Sequence, residues 1–156
     1  MNEFAGCPGS RTMDFRKGET REDAPLVKVQ SQLRQWPIQL HLVSPAAACY
    51  QGADVLLTAD CVAYALGSFQ TDYLKGKSLA IACPKLDQGQ EIYVGKIKSW
   101  LEDAKINTLT VLIMQVPCCM GLVNLAQQAL ASSKRKVPVK AVVVSLQGEI
   151  LSEEWV

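Results

Sequence analysis

The chain is poor in several residue types, and each shortage excludes something. It has 156 residues but a single histidine, His41, and only 6% aromatics. That leaves little for a histidine-rich metal centre or a stacking platform for bases. No apolar run reaches the ~18 residues of a membrane span. The first ten residues lack the basic-then-apolar pattern of a secretory signal. Formal net charge is +1, so no strong field steers nucleic acid or anionic lipid. No strand is followed by Gly-x-Gly-x-x-Gly, and no Gly-rich lysine loop occurs, so a dinucleotide or nucleoside triphosphate has little support. No Cys-x-x-Cys pair exists either. These absences place the chain in the cytoplasm by default, with neither membrane nor nucleic acid as a partner.

What the chain does have is length for one core-forming domain, a 49% apolar content and six cysteines. Disulfides are rare in the cytoplasm, so six thiols favour metal, cluster or redox use.

Residues 1–33 are polar and charged, without apolar periodicity, and read as an extended arm. The exception is the tight-turn sequence Cys7-Pro8-Gly9-Ser10. From 34 to 156 strand and helix patterns alternate. Trp36–Val43 alternates apolar and polar residues, as a strand does, and Ser44-Pro45 opens a short helix to Gly52. Asp54–Ala59 is a second strand. Asp60 suits the N-cap of a helix that starts at Cys61, carries Val62, Ala65, Leu66, Phe69 and Tyr73 on one face, and stops at Gly76. Ser78–Ala82 is a third strand. Asp87 and Gln90 have capping-box spacing before a helix presenting Tyr93, Ile97, Trp100, Leu101 and Ala104. Thr108–Val116 is a fourth strand. Leu122, Leu125, Ala126, Ala129 and Leu130 form one face of the helix after it. Val139–Leu146 is a fifth strand, and 147–156 is a polar ending whose Trp155 can dock back on the body. The alternation implies an α/β fold: one doubly wound, five-stranded, mostly parallel sheet in a flavodoxin-like three-layer sandwich, with an irregular N-terminal arm.

On that frame Cys61 follows the second strand, Cys83 the third, and Cys118 and Cys119 the fourth. All four thiols fall at the carboxyl edge of the sheet, where open parallel sheets bind ligands. Cys61 and Cys119 fall in first helical turns, where the helix dipole lowers a thiol pKa. Converging thiolates repel, and a cationic centre resolves the repulsion. Soft sulfur selects zinc, copper(I) or iron–sulfur clusters. Apolar Val116, Met120 and Leu122 would limit water access. Cys49, among alanines, reads as a core residue. His41 reads as a satisfied strand histidine, and Lys85 as a surface lysine.

The segments Leu33–Leu42, Ala59-Asp60-Cys61-Val62-Ala63-Tyr64-Ala65, Cys83-Pro84-Lys85-Leu86-Asp87 and Val116-Pro117-Cys118-Cys119-Met120-Gly121-Leu122, in that order, resemble the C-terminal domain of 4Fe-4S-binding, ferredoxin-like proteins of anaerobic microbes. There a two-cluster ferredoxin module precedes such a domain, and Gly6–Ser10 looks like the junction. The module itself is absent here. The resemblance implies an electron-transfer role, a ferredoxin-like or other redox protein as partner, and a 4Fe-4S cluster on Cys61, Cys83, Cys118 and Cys119, with Cys7 as the replacement for one of the adjacent pair. The residues themselves leave three other readings: a structural or regulatory zinc–thiolate site, a metal-free thiol redox protein with Cys119 as nucleophile and Cys118 or Cys83 resolving, and an interaction module with core cysteines.

Overall fold

The computed structural model describes residues 11–15 and 27–156. Four parallel strands and one antiparallel strand form a single sheet in the order β2-β1-β3-β4-β5. They are β1 (Asp54–Ala59), β2 (Ser78–Ala82), β3 (Thr108–Met114), β4 (Val139–Val144) and β5 (Ile150–Trp155). The first four are rich in β-branched and aliphatic residues, as strands covered on both faces are. Helices α1 (Val62–Ala65), α2 (Gln90–Glu102) and α3 (Met120–Ser132) connect them. β1 pairs with β2 from Val55↔Ser78 to Ala59↔Ala82, and with β3 from Asp54↔Thr108 to Thr58↔Leu112. The chain therefore leaves β1 toward one side, and returns past it to the other. That reversal makes the crevice between the carboxyl ends of β1 and β3 the topological switch point.

α2 buries Tyr93, Ile97, Trp100 and Leu101, and α3 buries Leu122, Val123, Leu125, Ala126 and Ala129. These are the faces that the apolar spacing marks. Tyr50 stacks on Trp100 with ring centroids 5.0 Å apart, and its hydroxyl donates to Leu79 O at 2.8 Å. Gly95 stands exposed in the middle of α2, and an added Cβ there would meet nothing within 4 Å. Gly95→Ala is expected to stabilise the protein by about 1 kcal/mol through helix propensity alone, read as a raised denaturation midpoint with unchanged slope.

Several expectations need correction, among them the short helix to Gly52, which is a 3-10 turn at Ala48–Tyr50. Trp36–Val43 forms no strand: Gln39 makes one parallel bridge to Ile81. The chain then turns, with the N–H groups of Leu42 and Val43 returning to Gln39 O, and Lys96 Nζ donates to the carbonyls of Leu40, His41 and Val43. A side chain thus takes up carbonyls that a ladder would have used. The segment nevertheless covers the open edge of β2, with Leu40 fully buried.

The helix expected from Cys61 to Gly76 is broken. α1 is only four residues long, Leu66 is extended, Gly67 follows it, and a π-helical turn spans Phe69–Leu74. The polar ending is β5, an edge strand paired antiparallel to β4 with a bulge near Val144. Its Lys140 partner Trp155 lies under Lys140 Nζ, 4.9 Å from the ring centre. Two glutamates, Glu153 and Glu154, blunt this edge against further pairing. The capping expectations at Asp60 and Asp87 also fail, and both residues lie at the thiol edge.

Candidate functional site

The edge is built loop by loop. After β1, Asp60 donates its N–H to Ala82 O at 3.2 Å, which ties the start of this loop to the end of β2. Cys61 occupies the N-cap position of α1 with its side chain exposed. After β2, the segment Cys83–Asp87 closes on itself. Asp87 N donates to Cys83 O at 2.9 Å, Cys83 N donates to Asp87 Oδ2 at 2.9 Å, and Leu86 N points at Cys83 Sγ at 3.4 Å. Tyr93 OH donates to the same Asp87 oxygen at 2.5 Å, and so anchors the loop to α2. The Gln90 side-chain amide adds a bond to Pro84 O. Asp87 is thus a clamp that fixes the Cys83 thiol. The N-cap of α2 is Gly89, in the left-handed region at φ 68°. The Cys-x-x-x-Asp spacing was the available signal for this clamp, and the capping-box pattern masks it.

After β3, a short 3-10 turn carries Pro117, Cys118 and Cys119, with Cys119 N donating to Val116 O at 3.0 Å. Gly121, next in α3, has Pro84 Cβ 2.9 Å from where its own Cβ would be. Only glycine lets the first turn of α3 lie this close to the Cys83 loop. The Cys118–Cys119 turn and the Cys83 loop are therefore neighbours by backbone packing.

The electrostatics join the four thiols. Burial pushes the Cys61 thiol up, and the charges of Asp60, Cys83 and Cys118 add to the shift. Cys119 is buried and pushed up to about 11, chiefly by burial, with Cys118 and Cys61 contributing. This overturns the expected lowering at first helical turns. α1 is too short for a sizeable dipole, and at Cys119 loss of water outweighs α3. A strongly nucleophilic Cys119 loses its physical basis. In metal-free protein Cys119 is expected to be the slowest of the edge thiols to react with iodoacetamide below pH 9, because its thiolate forms only near pH 11. Peptide mass spectrometry after timed alkylation checks this.

Asp60 does not cap α1. Its Oδ1 is buried without a hydrogen-bond partner, and burial together with the charge of Asp87 raises its pKa. Tyr93 is likewise raised, by burial and then by its bond to Asp87. His41 is satisfied as expected, though in a turn rather than a strand: Nε2 lies 2.6 Å from Gln88 O, and the ring packs on Tyr93 at 4.4 Å. Lys85 is exposed. Cys49 packs against the core, and its carbonyl accepts from Ser78 at the amino end of β2, far from the thiol edge. Cys7 lies outside the described residues.

Among the described residues, no three His, Cys, Asp or Glu side chains converge tightly enough to grip a single metal ion. The edge thiols are neighbours spread over three loops.

Among the described residues no helix is long and apolar enough to cross a membrane. A Rossmann-like domain family matches residues 47–156. An uncharacterized protein of Archaeoglobus fulgidus is 26% identical over 121 residues, covering 76% of this chain and 83% of that protein. No solved structure matches. The family match covers β1 to β5 and every edge thiol of the described residues, yet the first βα turn reads Ala-Asp-Cys where dinucleotide binders carry glycines. The chain belongs to the Rossmann-like domain family.

Proposed function

We propose that this chain is an iron–sulfur electron-transfer domain that holds one 4Fe-4S cluster at the carboxyl edge of its sheet. The observation that carries the reading is the delivery of thiols by three adjacent parallel strands, β2, β1 and β3, to one edge at the switch point. Cys61, Cys83 and Cys118 are the ligands nearest solvent. Buried Cys119 supplies the fourth thiolate, and Cys7 is the alternative to one member of the adjacent pair. The cluster, when bound, supplies a one-electron couple.

The chain's own residues do the rest. The Asp87 clamp holds Cys83 in place before a ligand arrives, which lowers the ordering cost of binding. Leu86 N donates toward Cys83 Sγ, and such bonds stabilise charge on the sulfur. Leu122 and half-buried Val116 exclude water from the inner side. Deprotonation of Cys119 works against its burial, so loading is expected to release protons and to proceed faster as pH rises.

The test is elemental. Protein made and kept without oxygen should carry about four irons and four acid-labile sulfides per chain, with a broad visible absorbance that bleaches on reduction. One tightly held zinc and no colour would replace this reading with a structural site. No metal after anaerobic reconstitution would leave a thiol protein. The relative's lack of assigned function is neutral between these, and the resemblance of the four cysteine-bearing and flanking segments to ferredoxin-linked domains favours the first.

A further inference from the structure

The loop after β1 borders a cavity of about 200 Å3 with a mostly apolar wall. Leu79 and Ile81, two apart on β2 and so on one face of the sheet, belong to that wall. Phe69 comes from the π-helical turn, and Leu33 and Ile38 from the segment that runs along β2. That segment is fastened by side chains. Gln32 N donates to Gln70 Oε1 at 2.7 Å, Leu79 N donates to Gln35 Oε1 at 3.1 Å, and the Arg34 guanidinium donates to Ser78 Oγ at 3.1 Å. Residues 32–35 thus form a laced strap that helps to enclose the cavity. Asp60 is also in the wall. Its Oδ1 is buried, with no hydrogen-bond partner among the described residues. Buried polar atoms are nearly always paired, so this oxygen calls for a donor. Size sets the class of occupant. A dry cavity of about 150 Å3 lined by Leu, Ile and Phe takes benzene, so this one has room for a six-membered ring with one small substituent.

We infer that this cavity is a binding site for a single aromatic ring carrying one hydrogen-bond donor, the phenol class, with the ring against the apolar wall and the hydroxyl donating to Asp60. Water alone would pair the oxygen and leave the apolar wall wet. A ring without a donor would cover the wall and leave the carboxyl unpaired. A phenol meets both demands. The inference does not need the iron–sulfur reading, because no cysteine is in the wall.

The test is a calorimetric titration of the full chain, purified without oxygen, with phenol and with toluene, which has the same size and no donor. Phenol should bind with a dissociation constant of about 1 mM or tighter. Toluene should bind about tenfold more weakly, since it leaves the carboxyl unpaired. Asp60→Ala should bring phenol down to the affinity of toluene. Ala63→Leu, at an exposed position in the same wall, should fill the space and abolish both, with the melting temperature unchanged. Equal binding of the two probes to the parent reduces the site to an apolar void and overturns the inference. No binding of either leaves the cavity to water and overturns it as well. Phenol binding that survives both substitutions lies elsewhere on the molecule, with the same consequence. Iron measured on the same samples keeps the two readings apart. An iron-free chain that binds phenol sinks only the cluster, and an iron-loaded chain that ignores phenol sinks only this site.

Discussion

Replacing Cys83 with serine is expected to empty the proposed cluster site, reducing iron from about four per chain to under one and abolishing the visible absorbance. The structure gives reasons for choosing Cys83. Its loop is clamped at both ends by Asp87, its sulfur faces an amide donor, and Pro84 is locked against Gly121. This loop has no second cysteine to stand in for it. The fold should survive, since the thiol is only half-buried and the core is built from other residues. Far-ultraviolet circular dichroism should match the parent. The control is Cys49→Ser. Cys49 sits at the opposite end of β2, so this variant should keep its full iron. Cys118→Ser, Cys119→Ser and Cys7→Ser form the discriminating set, since the variant that removes the thiol not used as a ligand should keep its colour. Equal iron in the Cys83→Ser and Cys49→Ser proteins would sink the assignment.

The frame behind this prediction was largely visible in the chain. β1 and β2 match their expected limits, and β3 and β4 their expected starts, because buried parallel strands are continuous apolar runs between turn residues. α2 and α3 follow from clear apolar faces. Two failures, at Trp36–Val43 and at β5, come from long-range partners that no local pattern reports. Trp36–Val43 has a strand's alternation, but Lys96, 53 residues or more away, gathers its carbonyls. β5 has no apolar pattern, since both of its faces stay exposed and only its pairing with β4 defines it. At the site, the positions of the cysteines followed from strand ends, whereas their electrostatics did not. Burial of Cys119 depends on how α3 seats against the sheet, and no local signal reports that. The close approach of Gly121 to Pro84 is also a property of two distant loops. Which residues line the edge was thus legible, and how tightly the loops are locked together was not.

Gly148→Ala is expected to cost about 3 kcal/mol, lowering the melting temperature by roughly 6–12 °C for a chain of this length. Two effects combine. Gly148 sits at φ +87°, where an L side chain is strained by about 1–2 kcal/mol. Its Cβ would also lie 2.2 Å from the carbonyl oxygen of Ala65, the last residue of α1. A backbone oxygen cannot step aside as a side-chain tip can, so the whole turn or the helix must shift, at about 1–3 kcal/mol. The turn itself resists: Gly148 N donates to Ser145 O at 3.0 Å and Ser145 N to Glu149 O at 2.7 Å. Gly76→Ala separates the two effects. Its φ is +77°, but an added Cβ meets nothing within 4 Å, so only the backbone strain remains, about 1 kcal/mol. The difference between the two variants in chemical denaturation therefore measures the contact between the β4–β5 turn and α1. Because α1 begins just after Cys61, the same displacement should move that thiol. Gly148→Ala should lose iron from the loaded protein faster than Gly76→Ala does when challenged with a chelator. If the two variants lose stability and iron alike, the β4–β5 turn does not brace α1, and Cys61 is held by β1 alone.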